Sequence, residues 1–194
     1  MTDKHTDQES KHARMAPIVL AAAACACSVT LTDAQIYSAA TDPCIPDARP
    51  AEDVIADMEA TGRRVSVRRH GRGATVLPGR VLLPPDWSTR SQPGQVSLMA
   101  HEWTHVCQQG DRAAAWVVRY ALDVDHRAVT ELAGIVAQGR ALLDVTGSRR
   151  ACVILVDDRV SGMPDRHLVR WEDAWMRGTL IPMVTDAACG ESEQ

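Results

Sequence analysis

The feature that most constrains the fold is the segment QVSLMAHEWTHVCQQ at residues 95–109, which has no proline or glycine and is apolar on most sides. This pattern predicts a helix that runs through a core. The preceding SQPG at residues 91–94 is a turn and helix-start signal. His101 and His105 lie four residues apart, so one face of this helix carries both imidazoles.

The centre of the segment is an H-E-x-x-H pattern, HEWTH. His101 and His105 are spaced to bind one Zn²⁺, and Glu102 would act as general base toward a water at an open coordination position. A chance match of this short pattern would be a core helix with two hydrogen-bonded histidines. The apolar context and the strand-like sequence upstream favour the metal site.

A catalytic zinc needs a third protein ligand, and two candidates follow the motif. Glu131 lies in a mostly apolar stretch with Leu132, Ala133 and Ile135, where a carboxylate needs a partner such as a metal ion. Asp111 lies six residues after His105, as in the metzincin-type pattern, but Gln108 replaces the glycine which that pattern requires. The expected metal ligands are therefore His101, His105 and Glu131, with Asp111 as the alternative or as a helix cap.

The surrounding segments follow a recognisable order. RVLL at residues 80–83 precedes H-E-x-x-H-x-x-Q-Q at residues 101–109, and Trp116, Tyr120 and Glu131 come after it. In this order residues 74–143 resemble the small bacterial metallopeptidase-like domains of the DUF4157-like group, which occur alone or inside toxin and secretion-system proteins. The resemblance implies a gluzincin-like fold, a zinc cofactor and peptidase activity.

These observations predict a zinc-dependent endopeptidase that acts on a protein or peptide substrate, with Glu102 as the catalytic residue. Tyr120 or His126 could stabilise the oxyanion, the hairpin at residues 74–83 could bind substrate by strand addition, and Gln108 or Gln109 could orient the histidines. One alternative is a non-catalytic zinc protein with a peptidase-like fold, such as a phage or secretion-system component. Another is a helical binding module without metal.

The periodicity predicts an α+β fold, a mainly helical zincin-like domain with a small β-hairpin or sheet before the H-E-x-x-H helix. The expected helices cover residues 51–61, 111–122, 127–143 and 165–177. A strand is expected at residues 63–69 and a hairpin at residues 74–83. The apolar stretch at residues 151–156 fits a strand or a helical turn, and Pro182 interrupts the apolar run at residues 179–184.

The N-terminal region predicts a leader at residues 1–40 and one domain at residues 41–194. The run at residues 15–29 is apolar and uncharged, too short to span a membrane easily, and follows basic residues, as in a signal peptide. This favours export to the periplasm or the medium, with contact with a membrane only through that segment. An alanine-rich core helix in a cytoplasmic protein is the alternative, favoured by the acidic residues of the leader.

The charge and the cysteine content limit the possible partners of the protein and its possible cellular compartments. The chain has 194 residues and a formal net charge of −4, without a long basic run, which argues against a nucleic-acid partner. Beyond the leader there are four cysteines, Cys44, Cys107, Cys152 and Cys189. They allow two disulfides with three possible pairings in an oxidising compartment, or four buried thiols in the cytosol.

Overall fold

A computed structural model describes residues 28–70 and 74–190. The described chain is mostly helical with a three-stranded sheet, which confirms the mainly helical α+β prediction. Its helices are α1 (Asp33–Ala40), α2 (Ala51–Ala60), α3 (Gln92–Gln109), α4 (Ala113–Leu122), α5 (Val124–Thr146), α6 (Arg149–Ser161), α7 (Met163–His167), α8 (Asp173–Trp175) and α9 (Ile181–Cys189). Its strands are β1 (Arg64–Val67), β2 (Thr75–Leu77) and β3 (Arg80–Leu83).

The helix α3 carries the H-E-x-x-H motif and begins and ends where the sequence indicates. The Ser91 side chain caps its N-terminus by accepting a hydrogen bond from the backbone of Gly94, and Pro93 occupies the first turn. The helix ends at Gly110, whose φ of 47° is readily adopted only by glycine. The α3 helix lies between the sheet on one side and α5 on the other.

The sheet has the strand order β1-β3-β2, with β1 parallel and β2 antiparallel to β3. The predicted hairpin turns at Pro78 and Gly79, where Gly79 has a φ of 72°. Val81 and Leu83 alternate along β3 and are buried against Met58 of α2 and Met99 of α3. The sheet thus holds one side of α3, and the expected strand and hairpin are confirmed.

The central helix is α5, which is buried along most of its length. The Asp123 side chain caps it by accepting from the backbone of His126, and it ends at Gly147 with a φ of 63°. One face of α5 contacts α3, and the other contacts α1, α6 and α9. We call the buried apolar residues shared by α1, α5, α6 and α9 the helical core; they include Ile36, Leu132, Val136, Cys152, Val156, Val160, Val184 and Ala188.

The expected boundary of the leader at residue 40 is corrected by this packing. Val29, Leu31, Ile36 and Ala39 are all buried in the helical core, because the apolar side of α1 lies on α5. Val29 also donates a backbone hydrogen bond to the carbonyl of Arg170. Residues 28–40 therefore belong to the folded domain, while most of the apolar run at residues 15–29 lies outside the described residues.

The C-terminal part follows the sequence analysis in one place and differs from it in two. Residues 151–156, for which a strand or a helical turn was predicted, are part of the helix α6. The helix expected at residues 165–177 is interrupted, because α7 ends where Leu168 adopts a left-handed φ of 56°. Pro182 does not interrupt the helical backbone; it lies in the first turn of α9, directly after the π-helical turn Met176–Leu180.

No helix of the described residues is both long and apolar enough to cross a membrane.

Candidate metal centre

Three side chains from two helices converge in the space between α3 and α5. His101 and His105 come from α3, and Glu131 comes from α5. The Nε2 atoms of the two histidines are 3.0 Å apart. Nε2 of His101 lies 3.5 Å from Oε2 of Glu131, and Nε2 of His105 lies 3.6 Å from Oε1 of the same carboxylate. The structure therefore brings together the three residues that the sequence suggests as ligands.

These distances fit a metal ion of the size of zinc. Ligand bonds of about 2.0–2.1 Å in a tetrahedron place ligand atoms roughly 3.3 Å from one another. All three groups are at least largely buried, and Oε2 of Glu131 has no hydrogen-bond partner among the described residues. A buried carboxylate oxygen without a donor is unfavourable unless a cation or a proton satisfies it. The donor set of two imidazoles and one carboxylate is one that zinc accepts.

Close packing between the helices fixes the position of His101. Gly134 of α5 lies so near the imidazole that a β-carbon there would be 2.7 Å from Cε1 of His101. Only a residue without a side chain allows this approach. The distance between α3 and α5 at the site is therefore set by a glycine, one turn of helix after Glu131.

Glu102 is buried beside the first histidine and lines the same cleft. Burial raises the pKa of Glu102 to about 7, and the charge of Glu131 adds to this effect, while His101 opposes it. A carboxylate with a pKa near neutrality can both accept and return a proton at physiological pH. The position and the pKa of Glu102 therefore suit a general base.

Glu131 shows the opposite behaviour, although it is equally buried. Burial alone would favour its protonated form, but the charge of His105 and the close contact with His101 hold the pKa of Glu131 well below its usual range. The hydroxyl of Tyr120 donates a hydrogen bond to Oε1 of Glu131. Burial and the charge of Glu131 raise the pKa of Tyr120, so this hydroxyl keeps its proton. Glu131 is therefore an ionised, hydrogen-bonded carboxylate.

His167, at the end of α7, completes this side of the site. Its Nδ1 lies 3.2 Å from the Tyr120 hydroxyl and 3.4 Å from Oε1 of Glu131. Burial lowers the pKa of His167, and the charges of His101 and His105 lower it further, against the opposing effect of Glu131. The sequence analysis missed this residue, since no spacing connects α7 to the motif.

A chain of hydrogen bonds supports His105 from the opposite direction. Oε1 of Gln108 lies 3.3 Å from Nδ1 of His105, and Nε2 of Gln108 donates to Oδ2 of Asp42 at 2.8 Å. Asp42 also accepts from the backbone of Cys44, which forms a disulfide with Cys107 of α3. The expected orienting role fits Gln108. Gln109 is buried, and neither polar atom of its side chain has a partner among the described residues.

The ligands open onto a cleft of about 1180 Å³. Strand β2 and the aromatic side chains of α4 line it, together with Arg68, Arg90, Arg159 and Arg166. Trp116 and Tyr120 stack at a centroid distance of 5.0 Å, and Trp116 lies 6.0 Å from His105. The cleft is therefore large enough for an extended peptide, with a strand at its edge.

Two further expectations concern residues that the structure places elsewhere. Asp111 is exposed in a short turn after α3, caps no helix, and is not one of the grouped ligand atoms. His126 packs edge-on against Trp116 and lines a separate small pocket with Arg119 and Asp123. The structure groups neither residue with His101, His105 and Glu131.

Comparison of the chain with protein-family models, with curated proteins and with solved structures finds no match.

Proposed function

We propose that the protein is a zinc-dependent endopeptidase with a zincin-like fold. The observation that carries the proposal is the convergence of His101, His105 and Glu131 at ligand distances, with Glu102 buried beside them in an open cleft. A zinc ion held by the three ligands supplies a Lewis acid and lowers the pKa of a bound water.

The chain's own residues account for the proton transfers. Glu102, buried beside the ligands in the cleft, would accept the proton of the attacking water and pass it to the leaving amine. The Tyr120 hydroxyl keeps its proton and would stabilise an oxyanion at the site by exchanging its hydrogen bond to Glu131 for one to the oxyanion, with His167 beside it. An extended substrate can pair with the exposed edge of β2, as the hairpin prediction suggests.

A non-catalytic zinc protein is the second candidate. Against it stands Glu102, because a purely structural site has no use for a buried carboxylate beside the ligands. Burial of Glu102 is unfavourable to its charged form and raises its pKa, and a role as general base accounts for keeping a carboxylate there. The enzyme is therefore the proposal that accounts for more of the site.

The disulfides are typical of an oxidising compartment. Cys44 is bonded to Cys107, and Cys152 is bonded to Cys189, which is one of the three possible pairings. We propose export to the periplasm or the medium, with the part of the apolar run before the folded residues 28–40 as the signal segment. Mass spectrometry of the protein expressed with its N-terminus intact would show cleavage in that run; an uncleaved, reduced protein in the cytosol would contradict export.

Zinc stoichiometry tests the metal site. We expect one zinc per chain in the wild type and in Asp111→Ala, and none in Glu131→Ala, when the proteins are analysed by elemental mass spectrometry. Loss of a direct ligand should weaken affinity by more than about 100-fold, beyond the range seen for residues that only support ligands. Zinc binding that survives Glu131→Ala, or no binding by the wild type after reconstitution, would contradict the site.

Turnover tests the peptidase. With a quenched fluorescent peptide library, we expect Glu102→Gln to keep its zinc and to lose activity by about 10²–10⁴-fold, the usual contribution of a general base. Glu52→Gln on the exposed surface of α2 is the matched control and should retain full activity. A wild-type protein that binds zinc and cleaves no peptide would favour the non-catalytic alternative.

A further inference from the structure

Arg159 is a cation of the cleft that lacks a hydrogen-bonded counterion. It lies on α6 and lines the same cleft as His101 and Glu102. Its Nε atom is buried without a hydrogen-bond partner, and among residues 28–70 and 74–190 no carboxylate lies within ion-pair distance of it. A buried N–H without an acceptor is unfavourable, and an anion that enters the cleft can satisfy the guanidinium.

Two neighbouring arginines of the cleft each form an ion pair with an aspartate. Arg90 pairs with Asp86 at 3.1 Å, and Arg166 pairs with Asp158 at 3.0 Å. Both lie near enough to Arg159 for their charges to matter. Burial lowers the pKa of Arg159, and the charges of Arg166 and Arg90 lower it further. Of these three arginines of the cleft, Arg159 is the one without an ion pair among the described residues.

Glu102 attracts Arg159 but does not neutralise it. The charge of Glu102 is a minor influence on Arg159, smaller than that of Arg166, and no ion pair joins the two side chains. The guanidinium therefore remains available to a ligand that enters the cleft.

We propose that Arg159 forms an anion subsite in this cleft that binds a carboxylate of the peptide substrate. The proposal rests on the proposed function, since it assigns a substrate class to the same cleft. A guanidinium binds a carboxylate through two parallel N–H···O hydrogen bonds. The carboxylate can come from an acidic side chain near the scissile bond or from a free C-terminus, and the chemistry of recognition is the same for both.

Binding of three dye-labelled peptides to the protein as purified separates these sources. The first peptide has one Glu and an amidated C-terminus, the second has Gln in its place and the same amide, and the third has Gln and a free C-terminal carboxylate. Fluorescence anisotropy gives the affinities, and mass spectrometry of the same samples records whether each peptide stays intact.

We expect one of the two carboxylate peptides to bind about 10–100-fold more tightly than the neutral peptide, as for hydrogen bonds to charged groups. Arg159→Gln should abolish this preference, and Arg159→Lys should retain part of it because the charge remains without the paired donors. Arg150→Gln is the matched control, since Arg150 is an exposed arginine of the same helix, and it should keep the full preference.

Equal affinity of the wild type for all three peptides would overturn the anion subsite, and so would a preference that survives Arg159→Gln. The affinities of the wild-type protein for the three peptides test the anion subsite even if a variant does not fold. The two proposals can fail separately. If the peptides stay intact but a carboxylate is preferred, the peptidase proposal is contradicted and the anion subsite is supported. If the peptides are cleaved without any preference for a carboxylate, the anion subsite is contradicted and the peptidase proposal is supported.

Discussion

The two faces of α5 show how one helix serves two different regions of the molecule. Gly134 lies on the face toward the metal site, where an added β-carbon would meet the His101 ring at 2.7 Å. Gly139 lies on the face toward the helical core, where it would meet Cβ of Ala188 at 2.9 Å and Sγ of Cys152 at 3.2 Å. Both glycines allow close approach, but one positions a functional side chain and the other only close-packed apolar groups.

Each region also has its own disulfide. The bond between Cys44 and Cys107 fixes the segment with Asp42 to α3, next to the metal site. The bond between Cys152 and Cys189 joins α6 to α9 inside the helical core. A disulfide bond thus supports the candidate metal site in one region and the close packing of apolar side chains in the other. Variants that change matched pairs of residues can separate these two roles.

Removing each disulfide should give the largest effects. The bonds close loops of 63 and 37 residues, so either double Cys→Ala variant should lose about 4 kcal/mol of unfolding free energy by the chain-entropy estimate. Only the Cys44→Ala/Cys107→Ala variant should also bind zinc more weakly, because it releases Asp42. Urea unfolding and competition with a chromogenic chelator measure the two quantities. An equal loss of zinc affinity in Cys152→Ala/Cys189→Ala would break the comparison.

The buried carboxylate of Glu102 lowers the free energy of unfolding of the protein at high pH, where it is ionised. Its pKa is about 7 in the folded protein and 4.5 as an ordinary Glu, so the penalty is absent below pH 4.5 and complete above pH 7. In zinc-free protein, Glu102→Gln should raise the unfolding free energy by about 3 kcal/mol at pH 8 and change it little at pH 4. Thermal unfolding with chelator present at both pH values measures this.

The exposed substitution Glu52→Gln is the control for that experiment and should change stability little at either pH. A stabilisation by Glu102→Gln of the same size at pH 4 and pH 8 would exclude ionisation of Glu102 as its cause.

The two glycines of α5 give a smaller and more direct contrast. Gly139→Ala should destabilise the protein by about 1–3 kcal/mol through overpacking, reduced by the higher helix propensity of alanine, with zinc affinity unchanged. Gly134→Ala should displace the His101 ring and weaken zinc binding with little loss of stability, because the ring borders an open cleft. Isothermal calorimetry with zinc and chemical unfolding, done on both variants, distinguish them. Identical behaviour of the pair would show that the faces are not distinct.

The smallest effect is expected at Asp42, which reaches His105 only through Gln108. Asp42→Ala should lower zinc affinity by about tenfold, the lower end of the range for supporting residues. Asp47→Ala, an exposed aspartate in the same segment, should leave it unchanged. The chelator competition assay applies here as well. Unchanged affinity in Asp42→Ala would mean that the hydrogen-bond chain does not orient His105.

The sequence predicted the elements whose signals are local. The H-E-x-x-H spacing placed His101 and His105 on one face, and the capping and glycine signals placed the ends of α3 within a few residues. Glu131 was predicted from its apolar neighbours, because a buried carboxylate needs a partner. Side-chain spacing along a helix is a local property, so a linear pattern is sufficient to reveal it.

Other features were decided only by contacts between distant segments. His167 of α7 lies beside Glu131 of α5, and Asp42 supports His105 through Gln108, next to the Cys44–Cys107 disulfide. Residues 28–40 join the core through the packing of α1 on α5. The alternation of apolar residues in strands and their spacing in helices do not specify which faces of the elements pack together. By itself the sequence determined the helix and the two histidines, and the tertiary structure decided what surrounds them, because packing brings together residues with no regular separation.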